Sequence, residues 1–175
     1  MMRKFILVVA IAAVAVLPGK VLGQNSAVAQ ADAGADILTA INLTSDANLH
    51  FGSMTVSTTA ATVQVTAAET AVRSVASGTV VLLTQGTPHA AAHFKIEDAE
   101  PNATYTITLP SAAVEIENEN ENKMDITGFT HSIVGTPTLD GSGDGGFYVG
   151  AILNIGESQP SGSYTGSFDV TVAYN

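Results

Sequence analysis

Residues 162–175 read G-S-Y-T-G-S-F-D-V-T-V-A-Y-N, and this stretch decides the fold class. Tyr164, Phe168, Val170, Val172 and Tyr174 fall on every second position, interrupted only by Gly166. Thr165, Ser167, Asp169, Thr171 and Ala173 fill the gaps. A period of two describes a β-strand with one dry face and one wet face. Each large apolar side chain on the dry face contributes roughly 1.5–3 kcal/mol when fully buried. The expectation is a strand from Tyr164 to Tyr174 that closes an all-β exported domain, and not an enzyme.

The same alternation recurs upstream. Phe147, Val149, Ala151, Leu153 and Ile155 form a long strand bounded by Gly146 and Gly156. Tyr105, Ile107 and Leu109 alternate between the Pro101-Asn102 turn and Pro110. Shorter strands are predicted at Leu49-His50-Phe51-Gly52, Thr62–Thr66, Ala92–Glu97 and Met124–Phe129. Val72–Val75 and Thr79–Leu83 flank a Ser77-Gly78 turn, and Ile37, Ile41 and Leu43 lead into a first strand. Turn signals follow one another about every 8–15 residues, the spacing of a sandwich or barrel. The dry phase predicts burial of Tyr105, Ile107, Leu109, Val149, Leu153, Phe168, Val170 and Val172, with Thr165, Asp169 and Thr171 wet.

The N-terminus carries a different pattern. Arg3 and Lys4 precede an unbroken apolar run of 13 residues, Phe5–Leu17. A membrane-spanning helix needs about 20 residues, and Pro18, Gly19 and Lys20 stop this run early. The pattern is that of a secretory signal peptide, residues 1–23. Cleavage after Gly23 is preferred; Ala27-Val28-Ala29 offers a second site, and an uncleaved anchor is the alternative. Residues 24–35 form a flexible alanine-rich leader, in which Ala27, Ala29, Ala31, Ala33 and Ala35 alternate with Val28, Gln30, Asp32 and Gly34. Residues 36–175 form the β-sandwich domain.

The whole chain has 6 basic and 16 acidic residues. Removing residues 1–23 takes Arg3, Lys4 and Lys20 and no acid, leaving 3 against 16, a net −13. Such a surface repels phosphate backbones and excludes nucleic acid as a partner; it disfavours anionic membranes and leaves no stable membrane anchor. There is no cysteine, so no disulfide supports an exported domain that could have used one.

With these strings in place, a resemblance can be stated. Leu49-His50-Phe51-Gly52, the run Pro101–Pro110, Tyr148-Val149-Gly150-Ala151, Gly162-Ser163-Tyr164-Thr165-Gly166 and the closing Val170–Asn175 occur in this order. The chain resembles a bacterial exported family catalogued as domain of unknown function 4402, over about residues 33–175. The resemblance implies an immunoglobulin-like antiparallel β-sandwich of unassigned activity, and it carries over no catalytic residue. The ending is also similar to chaperone–usher pilins and to spore-coat-protein-U-like subunits, whose sandwiches are completed by a strand from a neighbour. By that similarity the donor is the leader Ala27–Ala35. The chain departs from those subunits in lacking cysteine and in offering mainly alanine on its donor strand. The implied location is the periplasm, cell surface or exterior of a Gram-negative bacterium.

Local motifs add little chemistry. Glu115, Glu117, Glu119 and Glu121 share one face if extended, a weak invitation to Ca²⁺; a solvated, flexible hairpin tip is the preferred reading. Asp140-Gly-Ser142-Gly-Asp144-Gly145 begins like an EF-hand loop, but its twelfth position is Ala151 and no helix flanks it. It reads as a glycine-rich turn. His89 and His93 read as exposed strand residues, about 13 Å apart and too far for one metal ion; His50 and His131 have no evident partners. Asn102-Ala103-Thr104 reads as a turn before a strand. No G-x-S-x-G, HExxH, phosphate loop or cysteine nucleophile is present. No catalytic, cofactor-binding or metal-binding residue is therefore assigned, and no cofactor is expected. The functional expectation is a non-enzymatic secreted or cell-surface structural protein, pilin-like, that pairs with itself or another surface subunit through strand addition. The alternative is a carbohydrate- or calcium-binding β-sandwich module.

Overall fold

The alternating run Phe147–Ile155 becomes the spine of the main sheet. The computed structural model describes residues 26–55 and 58–175; the signal peptide expected at residues 1–23 lies outside the described residues. The chain divides into two units, residues 1–36 and 37–175. In the first, residues 26–36 are exposed and have no regular structure.

The second unit is all-β. Its strands are β1 (Asn42–Ala47), β2 (His50–Phe51), β3 (Met54–Thr55), β4 (Ala61–Val65), β5 (Arg73–Ser77), β6 (Val81–Leu82) and β7 (His89–Ala90). They continue with β8 (Ala92–Glu97), β9 (Tyr105–Thr108), β10 (Val114–Glu117), β11 (Lys123–His131), β12 (Gly145–Ile155) and β13 (Thr171–Tyr174). Among the described residues no helix is long and apolar enough to cross a membrane.

The main sheet runs β1-β8-β12-β11-β10, with β4 and β5 attached through β12. All its pairs are antiparallel. One edge of β12 takes β11. The other takes two partners in turn: Gly145–Val149 pair with β8, and Ala151–Ile155 pair with β4. Gly150 sits at the change of partner. A Cβ there would collide with the Val65 carbonyl and the Ala67 amide, so only glycine lets the chain leaving β4 pass so close. Each half of β12 feeds its own core. Ala151, Leu153 and Ile155 join Val63, Val65, Ile116 and Ile126 in one cluster. Phe147 and Val149 join Ala92, Ile96, Tyr105 and Leu139 in the other.

The second cluster is covered by a two-stranded sheet, β9 with β13. Ile107, Leu109, Phe168, Val170 and Val172 all pack against it. Tyr174 fixes the end of this layer: its hydroxyl donates to the Thr39 carbonyl at 2.8 Å and accepts from the Glu100 amide at 2.8 Å. The predicted register is therefore correct, with Thr165, Asp169 and Thr171 exposed. The depth differs. Tyr105, Val149 and Leu153 are buried, whereas Ile107, Leu109, Phe168, Val170 and Val172 are half-buried, because a layer of two strands leaves its flanks to solvent.

Several expectations are corrected. The closing strand pairs with β9 only from Thr171, not from Tyr164; before that only Thr165 pairs, in a single bridge to Glu117. Its partner β9 runs into Pro110, which has no amide to donate, so residues 164–170 keep the alternation but lose the ladder. Ile37 does not enter the first strand; it is 95% exposed, and β1 begins at Asn42. The two segments flank Ser77-Gly78 as expected, and they go to different partners: β5 pairs with β4, and β6 with β3. Glu115 and Glu117 lie on β10, an edge strand, rather than on a flexible tip. The tip that follows is fixed by Asn118, whose Oδ1 accepts from the amides of Asn120 and Asn122 at 3.0 Å each.

Candidate functional site

An open groove lies on the face of the first core cluster, with a cavity of about 790 Å³. Its floor comes from the main sheet: Ile116 on β10, Met124 and Ile126 on β11, Leu153 and Ile155 on β12, and Phe94 on β8. Two chain segments form its walls, residues 48–54 on one side and 160–168 on the other. No aspartate, glutamate, lysine or arginine is among its described lining residues, in a chain of net charge −10. Its one titratable lining side chain of ordinary pH is His50.

The first wall is held by a single cation. Arg73 Nη1 donates to the carbonyls of Phe51 at 2.9 Å and Ser53 at 3.0 Å, and Nη2 donates to Leu83 at 2.7 Å. Within the wall the Gly52 amide donates to His50 Nδ1 at 2.8 Å, which the positive φ of Gly52, 74°, makes possible. Burial, and then the Arg73 charge, hold the His50 imidazole below its ordinary value. Among the described residues β2 has β7 on one edge and no strand on the other.

The second wall meets the main sheet at one point. Thr165 and Glu117 exchange amide and carbonyl bonds at 2.9 and 3.0 Å. Gly166 makes this approach possible, since a Cβ there would lie 2.7 Å from Ile116 Cγ2 and 2.9 Å from the Glu115 carbonyl. Buried Gln159 braces the wall from below. Its Nε2 donates to the Lys123 carbonyl at 3.0 Å and to the Tyr164 hydroxyl at 2.9 Å, and that hydroxyl donates to the Pro160 carbonyl at 2.7 Å. Among the described residues, the only backbone–backbone bonds of residues 160–168 are those of Thr165. Apart from the Pro160 carbonyl, the rest of this alternating wall has peptide groups without backbone partners beside an apolar floor. Such an arrangement suits an extended chain, which ladders with the second wall and drops alternate side chains to the floor.

The histidines take places the sequence did not suggest. His89 and His93 are half-buried rather than exposed. His89 Nε2 lies 3.1 Å from the Ala71 carbonyl. His93 stacks on Tyr148 with centroids 4.4 Å apart, and its Nδ1 lies 2.6 Å from Asp46 Oδ1. Asp46 Oδ2 also meets Lys95 at 3.0 Å. The hydrogen bonds from Lys95 and then His93 hold the Asp46 carboxyl below its ordinary value. A bulge in β1 between Ser45 and Ala47 aims Asp46 at this pair. His131 has a buried Nδ1 without a hydrogen-bond partner.

The acidic motifs stay apart. The Asp140 loop is a turn closed on itself: Asp140 Oδ1 accepts from the amides of Ser142 at 2.8 Å and Asp144 at 2.9 Å. These bonds, Asp144 first, hold the Asp140 carboxyl below its ordinary value. Among the described residues no group of three or more histidines and acids is placed to hold a metal ion. Arg73 was not singled out from sequence. The available signal was scarcity: beyond residue 23 the chain has three cations, and Lys95 and Lys123 each pair with one acid while Arg73 alone serves three carbonyls.

The family model described as "Domain of unknown function (DUF4402)" matches residues 41–174. The chain belongs to this family. The matched region takes in all thirteen strands of the described residues, the groove floor and both walls. No curated protein and no solved structure matches the chain.

Proposed function

We propose that this chain is a non-enzymatic, exported structural subunit of a cell surface, pilin-like in that its sandwich has a groove for an extended strand. The observation that carries the reading is the charge-free groove itself. It combines an apolar floor of isoleucine and leucine with one wall whose amides and carbonyls are almost all without backbone partners. A strand laid there gains main-chain hydrogen bonds for affinity and alternate side-chain contacts for specificity. An edge left bare is otherwise an aggregation hazard. The basic, apolar and small-residue order of residues 1–23 supports export to the periplasm, the cell surface or beyond.

The test is hydrogen exchange on material sheared from expressing cells, set beside the purified monomer, with electron microscopy of the same sample. The expected result is fibres or surface assemblies containing the chain, with slowed exchange at residues 48–54 and 161–168. Equal exchange in the two samples, with the chain absent from any assembly, rejects the reading.

A further inference from the structure

The face of the main sheet turned away from the groove carries an ordered polar cluster. On β8 the inward phase is Ala92, Phe94 and Ile96, so His93, Lys95 and Glu97 stand on the other side. In the antiparallel register Tyr148 lies opposite His93, and Gly146 lies opposite Lys95. One step further along, Asp144 falls opposite Glu97. From the neighbouring edge the β1 bulge brings in Asp46. Its two carboxylate oxygens meet His93 Nδ1 at 2.6 Å and Lys95 Nζ at 3.0 Å. One carboxylate thus fixes two side chains, and the stack on Tyr148 fixes the imidazole plane. A carboxylate only accepts, so Nδ1 donates to Asp46, and Nε2 of the neutral ring is left as an acceptor.

Beside this cluster lies an open depression of about 350 Å³, with His93, Lys95, Glu97 and Asp144 set around Gly145 and Gly146. Its floor is bare peptide. A Cβ at Gly146 would lie 3.1 Å from the Phe94 carbonyl and 3.3 Å from His93 Nε2. Glycine keeps that nitrogen uncovered and lets a ligand come close to the backbone. The charges of the lining select the ligand. Lys95 brings an ammonium, while Glu97 and Asp144 bring carboxylates, so a ligand of either net sign meets a like charge. The two opposed carboxylates also repel each other, and hydroxyls that donate to them ease that repulsion. Each hydroxyl donates once and accepts twice. Adjacent hydroxyls on one ring therefore answer Lys95 as a donor, and Nε2 and the carboxylates as acceptors, without adding charge. The volume lies at the small end of the range for ligand sites.

We infer that this depression binds one residue of a neutral saccharide, its ring on Gly145 and Gly146, its hydroxyls donating to His93 Nε2, Glu97 and Asp144 and accepting from Lys95. The site lies on the opposite face of the sheet from the groove and does not depend on the groove taking a strand.

The full chain is tested on an array of neutral, sialylated and sulfated glycans, and the neutral glycan that binds best is titrated into isotope-labelled chain. The expected result is binding of neutral glycans, with NMR shifts at the Gly145 and Gly146 amides and none at residues 161–168. His93→Ala and Lys95→Gln each weaken binding about tenfold, the worth of one hydrogen bond of ordinary to charged strength. Gly146→Ala, which covers Nε2, weakens it as well. Thermal melts show which variants are folded; Lys95 is exposed, so its replacement reports on binding even where a change at the glycine disturbs the strand. Failure to bind any neutral glycan overturns the inference, and so does a preference for sialylated or sulfated ones. Binding that is unchanged in both His93→Ala and Lys95→Gln, or shifts at residues 161–168 in place of Gly145 and Gly146, puts the ligand elsewhere and overturns the site.

Discussion

Replacing Arg73 by methionine tests whether one cation holds the groove wall. The substitution keeps an unbranched apolar stem and removes every donor. Two carbonyls, of Phe51 and Ser53, lose part-buried partners, and that of Leu83 loses an exposed one. A hydrogen bond from a charged donor is worth about 1.5–3 kcal/mol when shielded. Water replaces the exposed bond and part of the others, so the expected cost is about 2–4 kcal/mol. Lysine offers its donors from one nitrogen and does not span both carbonyl sites as the guanidinium fork does, so Arg73→Lys recovers about half. Urea unfolding gives the midpoints, and an unchanged slope confirms that stability alone has moved. Hydrogen exchange supplies the local readout: the Leu83 amide donates to the Ser53 carbonyl at 3.0 Å and should exchange faster in Arg73→Met. A change within about 0.5 kcal/mol, the range of an ordinary surface substitution, together with unchanged exchange at Leu83, refutes the role given to Arg73.

Leu153→Ala should cost about 2–5 kcal/mol because it opens a cavity beneath the groove, while Thr171→Ala on the wet face stays within about 0.5 kcal/mol; reversed sensitivity in thermal melts would move the register by one residue. Asp46 and Asp140 have carboxyls lowered from 3.8 in the folded chain, so their stabilisation is fully present above that value and is lost as pH falls through the lowered folded values. Melts taken down to strongly acid pH should show an acid limb that shrinks in the Asp46→Asn, Asp140→Asn double variant, and an unchanged limb counts against both pairings. Millimolar Ca²⁺ against chelator at constant ionic strength should leave the midpoint unmoved, since amides already occupy Asp140 Oδ1; a rise would show that the loop opens around the ion.

The strands that could be read from sequence are those whose pattern is complete within one strand. β4, β8, β9 and β12 each alternate over four or more residues, and a buried face imposes that alternation whatever the neighbour is. β3 and β7 have two residues each, too few for any period; β2 and β6 are equally short and are marked in sequence by the turn glycines Gly52 and Gly78 beside them. β10 was hidden by its own side chains: Glu115 and Glu117 are the wet face of an edge strand, yet in sequence they merge with Glu119 and Glu121 of the tip. Residues 164–170 show the other limit. Their alternation correctly gives which side chains face inward, but pairing depends on the partner, and Pro110 ends that partner. The groove was illegible for the same reason. It arises where two segments about 110 residues apart fail to pair, and no local pattern records a missing neighbour.

The proposed strand capture bears on how so thin a core does without a disulfide. The second cluster is roofed by β9 and β13 and pinned by Tyr174. The first is roofed by two-residue strands and by a Gly- and Ser-rich wall touching the main sheet at Thr165, so this half of the molecule is the weaker one. A ligand that binds only the folded chain stabilises it by mass action, about 2.7 kcal/mol at a hundred times its dissociation constant. On the proposed reading, a captured strand supports the half that lacks a roof, without any change in the core beneath. The acidic charge sets copies of the chain against each other by repulsion that is general and long-ranged. The described lining of the groove is free of that charge, so the proposed capture meets no such repulsion there.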